Sequence, residues 1–193
     1  MLLNFYPFLE LCCHQQIEKN LKIKQITEIT NQAMSGNINF TKALNLRLQL
    51  LKINKTDVVK ITNHLSKSIS ESINSNIDLI RLISENIWIV SGGFKDIIGP
   101  IVKNFGIKKS KILANEFIYN KYNQVIGCNE QNDLYKSKGK ISAIKNLKLS
   151  GKLKSGISEF KKKFSFHNFS DLAKFSSLKF CLPSIVGIVI KSL

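Results

Sequence analysis

Ser91-Gly92-Gly93 is the segment best suited to chemistry. It follows Ile87–Val90, four apolar residues with β-branched and aromatic members, and precedes apolar residues Ile97, Ile98, Ile101, Val102 and Phe105 at spacings of three and four. The first pattern predicts a short strand covered on both faces, and the second an amphipathic helix. A hydroxyl and two glycine amides at a strand end, just ahead of a helix, suit an anion: helix-start N–H groups are unpaired, the dipole is positive, and glycine admits close approach. A purely structural turn is the competing reading, because neither GxxxxGK[ST] nor GxGxxG is present to specify a nucleotide. Cys12-Cys13-His14 is not expected to hold a metal, since adjacent side chains diverge and no second ligand pair accompanies them.

The elements around this segment fall into an order. Residues from about Gln15 to Ser84 are helical in pattern, with stripes at Ile26, Ile29 and Ala33, then Phe40, Ala43, Leu44, Leu48 and Leu51, then Val58, Val59 and Ile61. Met34-Ser35-Gly36-Asn37 supplies a turn, and Asn39 or Thr41 is expected to cap the helix after it. From Ile87 the pattern becomes strand, helix, the strand-like KILANEFIY, a turn at Asn120–Asn123, QVIGC, and a helix from about Lys138 to Leu147. A helical unit thus precedes an α/β unit, an arrangement that lets helices cover the phosphate-binding edge of a parallel sheet.

Composition narrows the partners. With 193 residues, 44% of them hydrophobic, the chain suffices for one substantial core and a small second subdomain. The net charge of +16 raises nucleic acid as a partner, but the basic residues are lysines except for Arg47 and Arg81, and base readout leans on the arginine fork. A solvated lysine surface is preferred. Four cysteines without CxxC spacing fit a reducing cytoplasm. The terminal FCLPSIVGIVIKSL is too short and too interrupted by Pro183 for a membrane span, and reads as a buried segment or a sticky tail.

Taken together, ITEITNQAMSGNINFTKALNLRLQLLK, IWIVSGGFKDIIGPIVKNFGI, ILANEF and SKGK resemble the phosphoserine phosphatases of the haloacid dehalogenase superfamily, over roughly residues 17 to 150. The resemblance implies a doubly wound parallel-sheet α/β core with a helical cap. Its divisions here would be a degenerate first-strand region at 1–14, the cap at 15–80, the phosphate-binding core at 81–150 and a divergent tail at 151–193. It assigns the phosphoryl group to Ser91, Gly92 and Gly93, the substrate carboxylate to Arg47, and the pocket lining to Met34 and Phe40. It makes Lys138 the essential lysine, with Lys140 its nearest rival, and matches Glu10 to a substrate-contacting glutamate. The substrate implied is O-phospho-L-serine, the product L-serine, and the metal Mg²⁺.

Two departures accompany the resemblance. The family's D-x-D-x-T/S, which supplies the nucleophile and the general acid, is not found: the five aspartates are Asp57, Asp78, Asp96, Asp133 and Asp171, and Asn4-Phe5-Tyr6-Pro7 stands near the expected place. The G-D-G-x-x-D that should hold Mg²⁺ is replaced around Gly156 by Ile157-Ser158-Glu159 and a lysine run. Three readings follow: a phosphoserine phosphatase, a catalytically inactive remnant of that family, and a basic nucleic-acid-binding protein. A broken reading frame, misassigned ends and a pseudoenzyme each fit the missing motifs.

Overall fold

The structure, a computed structural model, describes residues 16–69, 71–152 and 187–190. Glu10, Cys12, Cys13, His14, Asp171 and the residues around Gly156 lie outside them. Helices α1 (Gln16–Met34), α2 (Phe40–Leu51) and α3 (Lys55–Lys67) come first. Gly36, at φ 80°, turns the chain between α1 and α2, a conformation glycine adopts without Cβ strain. Asn39 is the cap of α2, its side chain accepting from the Lys42 amide at 2.8 Å. Asn54 and Asp57 close a reciprocal capping box on α3. Val59 departs from its expected stripe and is exposed; Val58 and Ile61 carry the buried face of α3.

Two short helices, α4 (Glu71–Asn74) and α5 (Ile77–Leu82), lead to strand β1 (Ile87–Phe94), helix α6 (Lys95–Lys103) and strand β2 (Ile112–Asn115). β1 and β2 are parallel, as a strand–helix–strand crossover requires. The strand-like KILANEFIY divides at Glu116: β2 joins this sheet, whereas β3 (Phe117–Tyr119) pairs antiparallel with β4 (Val125–Cys128) as a separate hairpin. Helix α7 (Gly139–Leu149) follows, and β5 (Gly187–Ile190) lies antiparallel along Ile87–Val90 on the edge of β1 opposite β2.

β1 is therefore central and buried on both faces. Ile87 and Ile89 pack with Ile98 and Val102 of α6, while Val90 packs with Ala143 and Leu147 of α7. A third cluster joins Leu44, Leu48 and Ile61 of α2 and α3 to Phe94, Ile97, Phe117 and Cys128, so the helices after Asn39 share a core with the carboxyl end of β1 and with the hairpin. Phe94 and Phe117 stack at 3.8 Å within it. Backbone bonds from Val125 to Ile53 and from Lys55 to Asn123, each 2.9 Å, tie the α2–α3 link to the hairpin tip. No described helix is long and apolar enough to cross a membrane.

Candidate functional site

Ser91, Gly92 and Gly93 lie inside β1 rather than in a turn after it. The expected stop at Val90 is corrected: extended backbone continues to Phe94, and α6 begins at Lys95. What changes at Val90 is the register. Val90 is opposite Leu113 but Phe94 is opposite Asn115, so four residues of β1 advance against two of β2. The surplus is a bulge at the carboxyl end of a parallel strand, where backbone groups leave the regular ladder and become available. Such a bulge depends on a distant partner strand, which local patterning does not report.

Hydrogen bonds hold the bulge. Ser91 is wholly buried, and its Oγ accepts from the Gly93 amide at 2.9 Å. Asn115, at the end of β2 and also wholly buried, donates from Nδ2 to the Gly92 carbonyl at 2.9 Å. A Cβ placed on Gly92 would lie 3.7 Å from both Cζ of Phe40 and Cε of Lys140. The first residue of α2 and the second of α7 thus converge above one glycine of the bulge.

The same helix starts are joined by a polar interlock. Thr41, the rejected cap candidate, donates to the Tyr135 carbonyl at 2.8 Å. Asn45 donates to the Tyr135 hydroxyl at 2.6 Å, and that hydroxyl donates to Glu130 at 3.1 Å. Burial raises the Tyr135 pKa, so the phenol stays a neutral donor. Asn132 then bonds the Ala114 carbonyl at 2.7 Å, linking the segment before α7 to the end of β2.

The other expected residues are distributed unevenly. Phe40 is half-buried beside Gly92. Arg47 is fully buried in α2, its Nη2 donating to Thr30 of α1 at 3.1 Å, and desolvation lowers its pKa. Met34 is 72% exposed at the last position of α1 and lines no enclosed surface, because the chain turns away immediately after it. Lys138 is exposed at the N-cap of α7 with φ 65°. Lys140, two residues on, is half-buried and is the lysine whose chain reaches Gly92. The turn geometry separates the two: Gly139 packs against the Asp133 backbone, leaving Lys138 outside.

The described aspartates, and Glu116, have other partners. Asp57 caps α3, Asp78 pairs with Arg81, and Asp133 lies 4.0 Å from Lys136. Asp96, in the first turn of α6, accepts from the Phe117 amide at 3.3 Å and from Tyr119, whose phenol is pushed up to about 12 by burial and then by Asp96. Glu116 pairs with Lys95 at 3.2 Å. Among the described residues no three His, Cys, Asp or Glu side chains gather.

No family model matches the chain. It is 27% identical over 125 residues to the chloroplastic phosphoserine phosphatase of Arabidopsis thaliana, covering 65% of this chain and 42% of that protein. The phosphoserine phosphatase of Homo sapiens is 24% identical over 123 residues, 64% of this chain and 55% of its own length. A crystal structure of a phosphoserine phosphohydrolase-like protein from Francisella tularensis superposes with a TM-score of 0.56 at 27% identity, covering 70% of this chain and 62% of that one. The chain is similar to phosphoserine phosphatases over about two thirds of its length. Its fold is the α/β fold of the haloacid dehalogenase type with helical elements. The chain spans about half the length of the curated relatives it matches.

Residue reading alone passed over two participants. Asn115 had a signal, an amide side chain in the middle of a strand-like run, but nothing local pointed to Gly92. Tyr135 had none, because its partners Thr41 and Asn45 are 94 and 90 residues away.

Proposed function

We propose that this chain takes a small phosphomonoester of the O-phospho-L-serine class. In this reading the phosphoryl group lies at Ser91, Gly92 and Gly93, and the cap of residues 15–80 brings Phe40 and Arg47 to the rest of the substrate. Lys140 and Lys138 supply positive charge. One observation carries it: α2 and α7 deliver Phe40 and Lys140 to the same glycine of a strand-end bulge. A half-buried ammonium beside backbone amides is a favourable setting for phosphate oxygens. Arg47 suits a carboxylate through its planar fork. The reaction implied by the relatives' names is hydrolysis of phosphoserine, giving L-serine for biosynthesis, with Mg²⁺ neutralising charge. The reducing cytoplasm is the compartment we assign.

A specific observation favours a second reading, in which the phosphomonoester is held but not hydrolysed. At Ile89 and Val90 both edges of β1 are paired, with β2 on one side and β5 on the other. A further parallel strand bearing the family's aspartate then has no ladder position there, and the described aspartates are engaged elsewhere. Holding ground state and transition state equally well does not accelerate chemistry.

Release of inorganic phosphate from O-phospho-L-serine with Mg²⁺, compared with Ser91→Ala, separates the readings. Turnover of about 1 to 10³ per second that Ser91→Ala abolishes establishes hydrolysis. Phosphate binding without release establishes the second reading. Neither binding nor release contradicts both.

A further inference from the structure

We infer that Asn115 is a positioning residue, which locks the Gly92–Gly93 peptide so that its carbonyl is turned away from the bound anion. The inference rests on the phosphate site proposed above. The two ends of this one peptide are held by different side chains: its carbonyl accepts from Asn115 Nδ2 and its N–H donates to Ser91 Oγ, each at 2.9 Å. The lock is needed because the flanking residues are both glycine. Without Cβ atoms such a peptide rotates at little steric cost, and rotation by half a turn exchanges the positions of N–H and C=O. A flipped Gly92 carbonyl would present negative charge to phosphate oxygens, inverting the electrostatics the bulge offers.

Asn115 bears the signs of retention for this purpose. It is wholly buried, yet its Oδ1 has no hydrogen-bond partner. Buried polar atoms are nearly always satisfied, and here the unpaired Oδ1 accompanies an Nδ2 whose bond to the Gly92 carbonyl no apolar residue could make. The amide orientation follows from its neighbour: the Gly92 carbonyl can only accept, so Nδ2 must face it. The end of β2 is itself anchored by Asn132 on the Ala114 carbonyl, which keeps Asn115 in place.

The test uses the full chain with Asn115→Leu, which removes donor and unsatisfied acceptor together, and Asn115→Asp, which keeps the shape but sets two acceptors against each other. Two quantities are read: hydrogen exchange of the Gly93 amide by NMR and calorimetric binding of inorganic phosphate. Loss of one buried hydrogen bond predicts that Gly93 exchange accelerates and phosphate affinity falls, each about tenfold. Asn115→Leu also leaves the Gly92 carbonyl without its donor, so its melting temperature is expected to fall, and exchange and affinity are read at a temperature where the variant is folded. Unchanged exchange and affinity in whichever variant folds overturn the inference. Failure of the unmodified chain to bind phosphate overturns the site reading instead, and Gly93 exchange then still decides whether Asn115 holds the peptide.

Discussion

Replacing Gly139 by alanine puts a methyl group where backbone already lies. A Cβ at this position would sit 1.9 Å from the Asp133 carbonyl oxygen, 2.7 Å from its carbon and 2.8 Å from Cα of Leu134. No side chain can swing away to relieve these contacts, so the first turn of α7 must separate from the Asp133–Tyr135 turn. Forced repacking of this kind costs about 1–3 kcal/mol. The Lys136 amide bond to the Asp133 carbonyl, 3.1 Å, would be lost as well, at about 0.5–1.5 kcal/mol. Alanine's helix preference returns at most about 1 kcal/mol, so the net change is destabilising by about 1–3 kcal/mol. For a chain of this length that lowers the melting temperature by about 3–10 °C. Differential scanning calorimetry measures it, with Gly127→Ala, where a Cβ meets nothing within 4 Å and φ is not positive, as a control. Equal or higher stability in Gly139→Ala would refute the close approach of α7 to this turn, and with it the placement of Lys140.

Three further outcomes follow from the same packing. Arg47→Lys should weaken phosphoserine binding about tenfold and leave inorganic phosphate within about twofold, because an ammonium cannot make the bidentate pair; equal loss of both in calorimetry would assign Arg47 to the fold. Tyr135→Phe leaves Asn45 without its 2.6 Å partner and should destabilise by about 1–2 kcal/mol, with a coupling of about 0.5–1.5 kcal/mol in a double-mutant cycle with Asn45→Ala; additive losses would show that α2 and Tyr135 do not act together. The Tyr119 phenol and the Cys128 thiol are both raised to about 12, each chiefly by burial. The folded chain therefore holds these protons more tightly than the unfolded one, so stability should be level below their ordinary ranges and decline as pH climbs toward about 12. Urea unfolding followed across that window checks the sign, and a rising midpoint would contradict it.

What could be read from residues alone was what depends on near neighbours. The apolar run at Ile87, the three- and four-residue spacing from Ile97 to Phe105, and the Asn39 cap each express a local period or a local hydrogen bond. The bulge at Ser91–Gly93 does not: it exists because Phe94 aligns with Asn115 after Val90 has aligned with Leu113. KILANEFIY looks continuous for the same reason, since only the partners show that β2 and β3 belong to different sheets. Spacing to a motif could not distinguish Lys138 from Lys140, because the positive φ at Lys138 and the tight packing of Gly139 are set by the Asp133 turn. Met34 matched its motif by type, yet the turn at Gly36 leaves it in solvent. The resemblance marks a strand and helix starts by residue type and order, and tertiary contacts decide which side chains meet there.

The most direct measurement is calorimetric titration of the full chain with inorganic phosphate, beside Ser91→Ala and Gly92→Ala. A Cβ at Gly92 would find ordinary 3.7 Å contacts with Phe40 and Lys140, so Gly92→Ala should keep the fold while filling the space an anion needs. The account predicts one phosphate per chain, with affinity lowered about tenfold or more by either substitution and the melting temperature unchanged in Gly92→Ala. Phosphate binding that neither substitution weakens would contradict it, as would no binding by the unmodified chain.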